Sequence, residues 1–423
     1  MILVAVWRVA ITLVLAGCGR IGFDSSADAT TDSLGVLEAT GGIDPGFGTG
    51  GSTTTSDGQL DVIPYEVLTR PDGYLVVGTH GDLAGSSAIA ILGFTKDGFL
   101  DTAVGGDGLV DVGPTANDFG YGAARIDDNR VLVVGDGDAN DGRADDLTIG
   151  IVGDQGVPDP AFGSGGFVRI DPDGMGDDTV NAAIVVGSKA IVCGVASYSA
   201  ADSHFVVAAI ELAGGALDPG FGTGGRVLDN FMPGVQDECN DLVALGTNVI
   251  AVGHADGDRL VVAAYDASGA RIPTFANGGV FQAGTSGATA YDVALVDGDL
   301  VISGEDAGAA FAVRLAPDGT RRASFGTNGE VSLPAIGDLI NVVVPQPNGK
   351  LLVAGKRGST AVIARLLGDG RPDPTFGAGG VVVLVTGAPA EVQSLLLEPG
   401  GKIVAIAVVG AASPFSSLIT RLE

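Results

Sequence analysis

Short apolar runs of four to eight residues, divided by glycine-rich and polar turns, follow one another from about residue 34 to the end of the chain. In the most regular of them, four mainly aliphatic residues precede a glycine. Runs of this length that are rich in β-branched residues predict strands covered on both faces. Seven such runs occur, at residues 74–78, 131–135, 190–194, 249–253, 300–304, 351–355 and 406–410.

The turns before several of these runs are typical of tight β-hairpins. The dipeptides Asp72-Gly73, Asp297-Gly298 and Asn348-Gly349 supply residues that tolerate the positive φ of a two-residue type I′ turn. Helices are disfavoured, because the chain holds 70 glycines and each glycine costs a helix about 1 kcal/mol relative to alanine. The pattern therefore predicts antiparallel meanders.

A second pattern, Asp-Pro-x-Phe-Gly-x-Gly-Gly, recurs once in each repeat and is clearest at residues 218–225. Successive copies lie 50 to 59 residues apart, and Val104 replaces the phenylalanine in one degenerate copy. A period of this size indicates repeated supersecondary units. Each unit holds four strands, so we predict an all-β, seven-bladed β-propeller of four-stranded antiparallel blades. We interpret the repeated rings as packing residues between blades, namely Phe47, Phe162, Phe221, Phe275, Phe325 and Phe376.

The last repeat ends after its third apolar run, at residues 417–423. A blade of three strands would leave a sheet edge open at the point where the ring must close. We therefore expect residues 50–56, which follow the first Phe-Gly motif, to provide an N-terminal strand that completes the last blade. On this reading the propeller spans residues 34–423.

Three repeats also carry an Arg-Leu pair in the third strand, at residues 314–315, 365–366 and 421–422. Together with the hairpin turns and the Phe-Gly motif, these pairs make the chain resemble the delta-60 repeat, which is found in bacterial propeller-like proteins of unknown function. The resemblance implies a propeller architecture. It supplies no catalytic residue.

The N-terminus has the pattern of a bacterial lipoprotein. Residues 1–17 are apolar apart from Arg8 and end in Leu15-Ala16-Gly17-Cys18, which resembles a lipobox. We predict a signal peptide at 1–17, lipidation of Cys18 and a flexible tether at 18–33, which is rich in Ser, Asp, Ala and Thr. Gly19 after the cysteine favours the outer membrane, with the periplasmic or surface side left open.

The formal net charge of −29 excludes a nucleic-acid partner, because such a field repels phosphates and favours cations. Two cysteines remain besides Cys18. Cys193 ends a predicted second strand and Cys239 precedes a predicted first strand, so a disulfide and two buried thiols are both open. We expect a monomer.

The loops after the second and fourth strands vary in sequence and meet at one side of the disc, here called the variable face. One of them resembles a calcium loop in its spacing, although it departs from an EF-hand, because Asp141 stands at the glycine position and no glutamate ends it. A second acidic loop, residues 171–178, lies on the same face of the same blade. The candidate calcium ligands are Asp136, Asp138, Asn140, Asp141, Asp145 and Asp146, and a solvated acidic loop is the alternative.

Catalytic patterns are sparse. The three histidines, His80, His204 and His254, fall in different repeats, and neither a nucleophile elbow nor a phosphate loop is found. We favour a lipid-anchored, non-enzymatic cell-envelope module that binds a protein, a glycan or a cation through its acidic variable face, with calcium as the one expected cofactor. The alternative is a calcium-dependent extracytoplasmic hydrolase or lyase that uses carboxylates at the mouth of the central channel.

Overall fold

The computed structural model describes residues 39–82, 86–115, 117–138, 145–172, 174, 176–199, 202–255, 259–284 and 287–423. These residues form seven four-stranded antiparallel sheets, which confirms the predicted seven-bladed propeller. The described part of the chain contains no helix of the length and apolarity needed to cross a membrane. The predicted signal peptide, Cys18 and the tether lie outside the described residues.

The first described strand, β1 (Ser52–Thr55), belongs to the last blade. Blade 1 consists of β2 (Asp61–Arg70), β3 (Gly73–Gly81), β4 (Ser87–Thr95) and β5 (Leu109–Val112). Blade 2 consists of β6 (Asp118–Arg125), β7 (Arg130–Gly137), β8 (Asp146–Gly153) and β9 (Phe167–Ile170). Blade 3 consists of β10 (Thr179–Val186), β11 (Lys189–Ser199), β12 (Asp202–Glu211) and β13 (Arg226–Asp229).

The remaining blades follow the same order. Blade 4 consists of β14 (Asp237–Leu245), β15 (Asn248–Ala255), β16 (Arg259–Tyr265) and β17 (Val280–Ala283). Blade 5 consists of β18 (Thr289–Val296), β19 (Asp299–Asp306), β20 (Ala309–Leu315) and β21 (Glu330–Ser332). Blade 6 consists of β22 (Leu339–Pro345), β23 (Leu351–Arg357), β24 (Thr360–Leu366) and β25 (Val381–Val383). Blade 7 consists of β26 (Ala390–Leu397), β27 (Ile403–Val409), β28 (Ser416–Leu422) and β1.

The first strand of each blade lies innermost. These strands contact one another in a closed ring that runs through β2, β6, β10, β14, β18, β22 and β26 and returns to β2. Closure takes the predicted form, because β1 pairs antiparallel with β28 from Ser52 opposite Thr420 to Thr55 opposite Ser417. The apolar cores lie between the faces of neighbouring blades, which explains why the strands lack a polar side.

The Phe-Gly motif builds the face opposite the variable face, here called the turn face. Its six phenylalanines and Val104 are all buried, with at most 2% of any side chain exposed. The aspartate caps the turn, since Asp218 Oδ1 accepts a hydrogen bond from Gly220 N at 2.9 Å. Gly222 has a φ of +55° and donates to Ser268 O of the next blade at 2.7 Å. The motif therefore joins each blade to its neighbour.

The Arg-Leu pairs complete this turn in two blades. The Arg365 side chain is 1% exposed; it donates to Asp373 Oδ2 at 2.8 Å and stacks over the Phe376 ring at 4.9 Å. Arg421 makes the same contacts with Asp44, at 2.8 Å, and with the Phe47 ring, at 4.7 Å.

The sequence left open whether Cys193 and Cys239 are bonded, and in the structure they are. Cys193 in β11 and Cys239 in β14 form a disulfide with a Cα–Cα distance of 5.7 Å, and both are fully buried. Because β11 belongs to blade 3 and β14 to blade 4, the bond crosses a blade interface.

Candidate functional site

The variable face holds the acidic loops of blade 2. The structure places the predicted calcium ligands in different surroundings. Asp136 is buried at the end of β7 and accepts a hydrogen bond from Thr179 Oγ1 at 2.9 Å. Asp145 is tied to the second loop, because its backbone oxygen accepts from Asp178 N at 2.8 Å. Asn140 and Asp141 lie outside the described residues.

One carboxylate group on this face joins the two loops. Asp146, Asp171 and Asp178 each offer an oxygen, and these oxygens lie within 4.8 Å of one another. Asp146 is the one predicted ligand in this group, while Asp171 and Asp178 come from the second acidic loop. Three carboxylate oxygens at such spacing are a suitable donor set for a hard divalent cation.

Other acids of the variable face are used to hold the loops. The first strands of blades 1, 2 and 4 begin with an aspartate whose carboxylate accepts a backbone N–H. The donors are Phe415 to Asp61 at 2.6 Å, Thr115 to Asp118 at 2.8 Å and Phe231 to Asp237 at 2.5 Å. Burial raises the pKa of Asp237 to about 6. Much of the acidity that the sequence places on this face therefore has a structural use.

The seven innermost strands share a feature that the sequence analysis missed. Each contains a β-bulge at the same position, and the bulged residue is polar or tyrosine and at most 7% exposed. The asparagines among them clamp neighbouring blades; for example, Asn240 Nδ2 donates to Ala290 O at 2.8 Å. These bulge residues are Tyr65, Tyr121, Asn181, Asn240, Tyr291, Asn341 and Gln393.

A glycine in the second strand makes room for each bulge in blades 1 to 6. At Gly253, for instance, an added Cβ would lie 1.9 Å from Glu238 O. This glycine ends the apolar run from which the repeats were recognised. In blade 7 the predicted run is displaced, because Gly410 lies beyond the end of β27 and Ala407 stands opposite the bulge.

Three acids follow directly after a bulge and are here called the inner acids, Glu66, Asp241 and Asp292. Each is at most 3% exposed. Asp241 Oδ2 accepts from Val293 N at 3.0 Å, and Asp292 Oδ2 accepts from Val343 N at 2.6 Å. Burial, followed by the neighbouring Asp241, raises the pKa of Asp292 well above its usual range. Burial and the neighbouring Asp241 carboxylate therefore both favour the protonated form of Asp292.

Three glutamates lie nearer the variable face and are here called the mouth glutamates, Glu238, Glu305 and Glu391. Asn181 Nδ2 donates to Glu238 at 2.8 Å, and Tyr291 OH donates to Glu305 at 2.8 Å. Burial raises the pKa of Glu238 to about 7 and is also the main cause of the raised pKa of Glu305. Negative charge from all three glutamates contributes to the raised pKa of Tyr291.

The histidines occupy three separate environments. His80 Nδ1 lies 2.9 Å from Asp111 Oδ1, and that hydrogen bond is the main cause of its raised pKa. His204 Nε2 lies 2.7 Å from Asn230 Nδ2. His254 is 4% exposed, and burial lowers its pKa to about 4. Within the described residues none of them belongs to a group suited to a metal ion.

Residues 346–376 match a family model described as "Domain of unknown function (DUF5122) beta-propeller". The matched segment contains the hairpin turn and the Arg-Leu pair of blade 6 and ends at Phe376, within the Phe-Gly motif of that blade. This match and the seven blades are consistent with a propeller-repeat family. No curated protein matches the chain.

Among solved structures, the tricorn protease is similar over 85% of this chain, at 12% identity and a TM-score of 0.41, and the chain spans 34% of that protein. TolB from Acinetobacter baumannii is similar over 84% of this chain and 78% of its own, at 12% identity and a TM-score of 0.38. The PQQ-bound aldose sugar dehydrogenase of Streptomyces coelicolor is similar over 72% and 93%, at 15% identity and a TM-score of 0.39. Similarity at this level carries no information on activity.

Proposed function

We propose that the protein is a lipid-anchored module of the bacterial cell envelope that binds a protein, glycan or cation through its acidic variable face and has no catalytic role. The propeller fold fits a binding or scaffold module. The turn face is occupied by packing between blades, which leaves the variable face for a partner. The observation that carries the proposal is the carboxylate group of Asp146, Asp171 and Asp178.

The anchor is tested in the native host or a bacterial expression strain. With Cys18 lipidated, the full-length protein is expected in the membrane fraction and in the detergent phase after phase separation. Cys18→Ala is expected to be released or to stay unprocessed, because the thiol that accepts the lipid is gone. A parent protein that is soluble and cleaved at another position would overturn the anchor.

Calcium is the proposed ligand of the carboxylate group. Binding to the folded state alone stabilises by about 2.7 kcal/mol at a hundredfold excess over Kd, so the melting temperature is expected to rise in millimolar calcium relative to chelator. Asp146→Asn is expected to abolish the shift. Asp138→Asn is the matched control, because Asp138 lies on the same loop but not in the group. Loss of the shift in both variants would favour the ligand set predicted from sequence, and no shift in the parent would remove calcium from the proposal.

The mouth glutamates support a second candidate, a calcium-dependent extracytoplasmic hydrolase or lyase. Glu238 and Glu305 have raised pKa values, as a general acid requires. The test is product release from a panel of neutral and acidic polysaccharides with calcium, compared between the parent and Glu238→Gln. Activity that is lost in Glu238→Gln would replace the non-enzymatic proposal.

A further inference from the structure

His80 lies at the variable-face end of β3, between two carboxylates that come from different parts of the chain. Its Nδ1 lies 2.9 Å from Asp111 Oδ1 and 3.1 Å from Asp111 Oδ2, in the outer strand β5. Its Nε2 lies 3.5 Å from Asp57 Oδ2. Asp57 belongs to residues 56–60, here called the closing loop, which lead from β1 of blade 7 to β2 of blade 1. The imidazole therefore bridges the outer strand of blade 1 and the closing loop.

The charged form of the His80 ring suits both carboxylates, and the neutral form does not. A neutral imidazole has one N–H and one bare nitrogen, whereas the imidazolium donates from both nitrogens. With a carboxylate beside each nitrogen, a neutral ring must direct a lone pair at one of two negative charges. The buried Nε2 has no hydrogen-bond donor near it among the described residues that would relieve this repulsion. The arrangement therefore favours the imidazolium.

The other acids at this end of blade 1 are engaged elsewhere or exposed. Asp61 and Asp118, at the starts of β2 and β6, are bound by donors of blades 7 and 2. Asp82, just beyond β3, is exposed. The charges that act on the imidazole are those of Asp111 and Asp57. The hydrogen bond to Asp111 is the main cause of the raised pKa of the imidazole, and burial opposes it.

The contacts of the two ring nitrogens differ, which determines what is lost with the proton. Nδ1 of His80 lies near both oxygens of Asp111, whereas Nε2 reaches one oxygen of Asp57 at a longer distance. Nδ1 therefore keeps the remaining N–H, and the bare Nε2 faces Asp57. The other oxygen of Asp57 accepts from Gln59 N at 2.7 Å and from Leu60 N. Repulsion of this carboxylate thus acts on the whole closing loop.

We propose that His80 is a pH-sensitive latch, which holds the closing loop against blade 1 when the ring is protonated and releases it when the ring is neutral. Among the described residues, the pair of Asp57 with His80 is the one hydrogen bond or ion pair by which a side chain of this loop reaches outside it. The loop follows the fourth strand of blade 7 and so lies on the variable face. Its release changes the shape of that face beside blade 1.

The direction of the pH dependence follows from the raised pKa of His80. The stabilisation from the latch is complete below the unfolded value near 6.5 and is lost as the pH rises through the higher folded value. The closing loop is therefore held at weakly acidic pH and released at alkaline pH. This device goes beyond the proposed binding role and does not depend on it.

The first test is hydrogen exchange of the closing loop in the folded protein at pH 5.5 and pH 8.5, corrected for the pH dependence of the intrinsic rate. The amides of Gln59 and Leu60 are expected to lose at least tenfold in protection at pH 8.5, because an isolated turn in a released loop exchanges rapidly. His80→Gln is expected to remove this pH dependence, since an amide has no proton to lose. His204→Gln, which removes a variable-face histidine of blade 3, is the matched control and is expected to behave as the parent does. Thermal melting of each variant establishes that it is folded.

The second test is titration of the imidazole by NMR. The His80 signal, assigned by its absence in His80→Gln, is expected to titrate above pH 6.5, and Asp57→Asn is expected to lower its midpoint. Three outcomes would each overturn the latch: equal corrected protection of the loop at both pH values, a pH dependence that persists in His80→Gln, or a midpoint that Asp57→Asn leaves unchanged. No ligand enters these experiments, so failure here would leave the proposed function standing.

Discussion

Carboxylates on the turn face and around the channel are both shielded from water, yet folding changes their pKa values in opposite directions. The Lys402 ammonium is the main cause that lowers the pKa of Asp44 to about 2, with Gly46 N and Arg421 adding to it. Around the channel, Asp241, Asp292, Glu238 and Glu305 accept from backbone amides, asparagine and tyrosine, and burial raises the pKa of Glu238 to about 7. Neutral donors thus offset less of the desolvation of a carboxylate than cations do.

The largest expected effect tests the packing of the turn face. Phe376→Ala removes a fully buried ring that lies under Arg365 and is expected to lower the free energy of unfolding by about 3 to 5 kcal/mol. Chemical denaturation with a folded-state check measures it. The control is Phe99→Ala, because that ring is 50% exposed and its loss is expected to change stability by about 0.5 kcal/mol at most. Similar losses in both variants would contradict a packing role for the motif.

The next effect concerns the ion pair of the same turn. Burial raises the pKa of Asp373, but hydrogen bonds from Thr375 and Lys350 and the charge of Arg365 outweigh it and lower the pKa. Asp373→Asn leaves the buried Arg365 guanidinium without its counter-charge and is expected to destabilise by about 3 kcal/mol.

Asp369→Asn is the matched control for this variant. Asp369 pairs with Arg371, but their side chains are 42% and 75% exposed, so the loss is expected to stay below about 1 kcal/mol. Equal losses in the two aspartate variants would show that burial does not set the strength of these pairs.

Asp292→Asn is expected to act in the opposite sense to Asp373→Asn. The amide can still accept from Val343 N, and it can donate to Asp241 without a proton to lose. We expect the stability of the variant relative to the parent to be greater at pH 9 than at pH 5, by about 1 kcal/mol, because only the parent can lose a proton at this position. Destabilisation at both pH values would mean that the hydrogen bond between protonated Asp292 and Asp241 itself stabilises the fold.

The smallest effect is the pH profile of the parent protein. Asp44 and Asp373 have lowered pKa values, so their stabilisation is complete above the unfolded value near 4 and is lost as the pH falls below it, through about 2 for Asp44. Asp292 and Glu238 have raised pKa values, so their stabilisation is complete below their unfolded values and is lost as the pH rises, through about 7 for Glu238. The unfolding midpoint is expected to be highest at weakly acidic pH and to decrease at both lower and higher pH. An unfolding midpoint that rises steadily up to pH 9 would contradict the raised pKa values of the channel acids.

The fold could be predicted from the sequence because the same pattern of strands and turns recurs in every repeat. The period, the hairpin turns and the missing last strand together determined seven blades and their closure by residues near Ser52. The contacts that join an arginine, an aspartate and a phenylalanine on the turn face were missed. The three residue types occur together around both Phe376 and Phe47, so the signal was present in the sequence. A recurring contact can be inferred only when the partners are compared across repeats.

The channel acids could not be found in this way. The chain holds 51 Asp and Glu residues, and those at the channel have no distinctive neighbours in sequence. A bulge shifts the alternation of side chains by one position, so a strict period of two places Asp241 and Asp292 on the wrong side. The available signal was the glycine of each second strand, such as Gly253, whose position opposite the bulge explains why no side chain is tolerated there.

The pairing of β1 with β28 also determines the order in which the ring can form. Six blades are built from consecutive strands, but Thr420 Oγ1 donates to Gly51 O across a sequence separation of 369 residues. Contacts between such distant segments form slowly, because the entropy of closing the intervening loop is lost before any contact is gained. During synthesis β1 is made before the other strands of the propeller and β28 after them, so blade 7 is completed only once the strands of the other six blades have been made. Until then the growing chain presents two unpaired strand edges, which is when it is most exposed to aggregation and to chaperones.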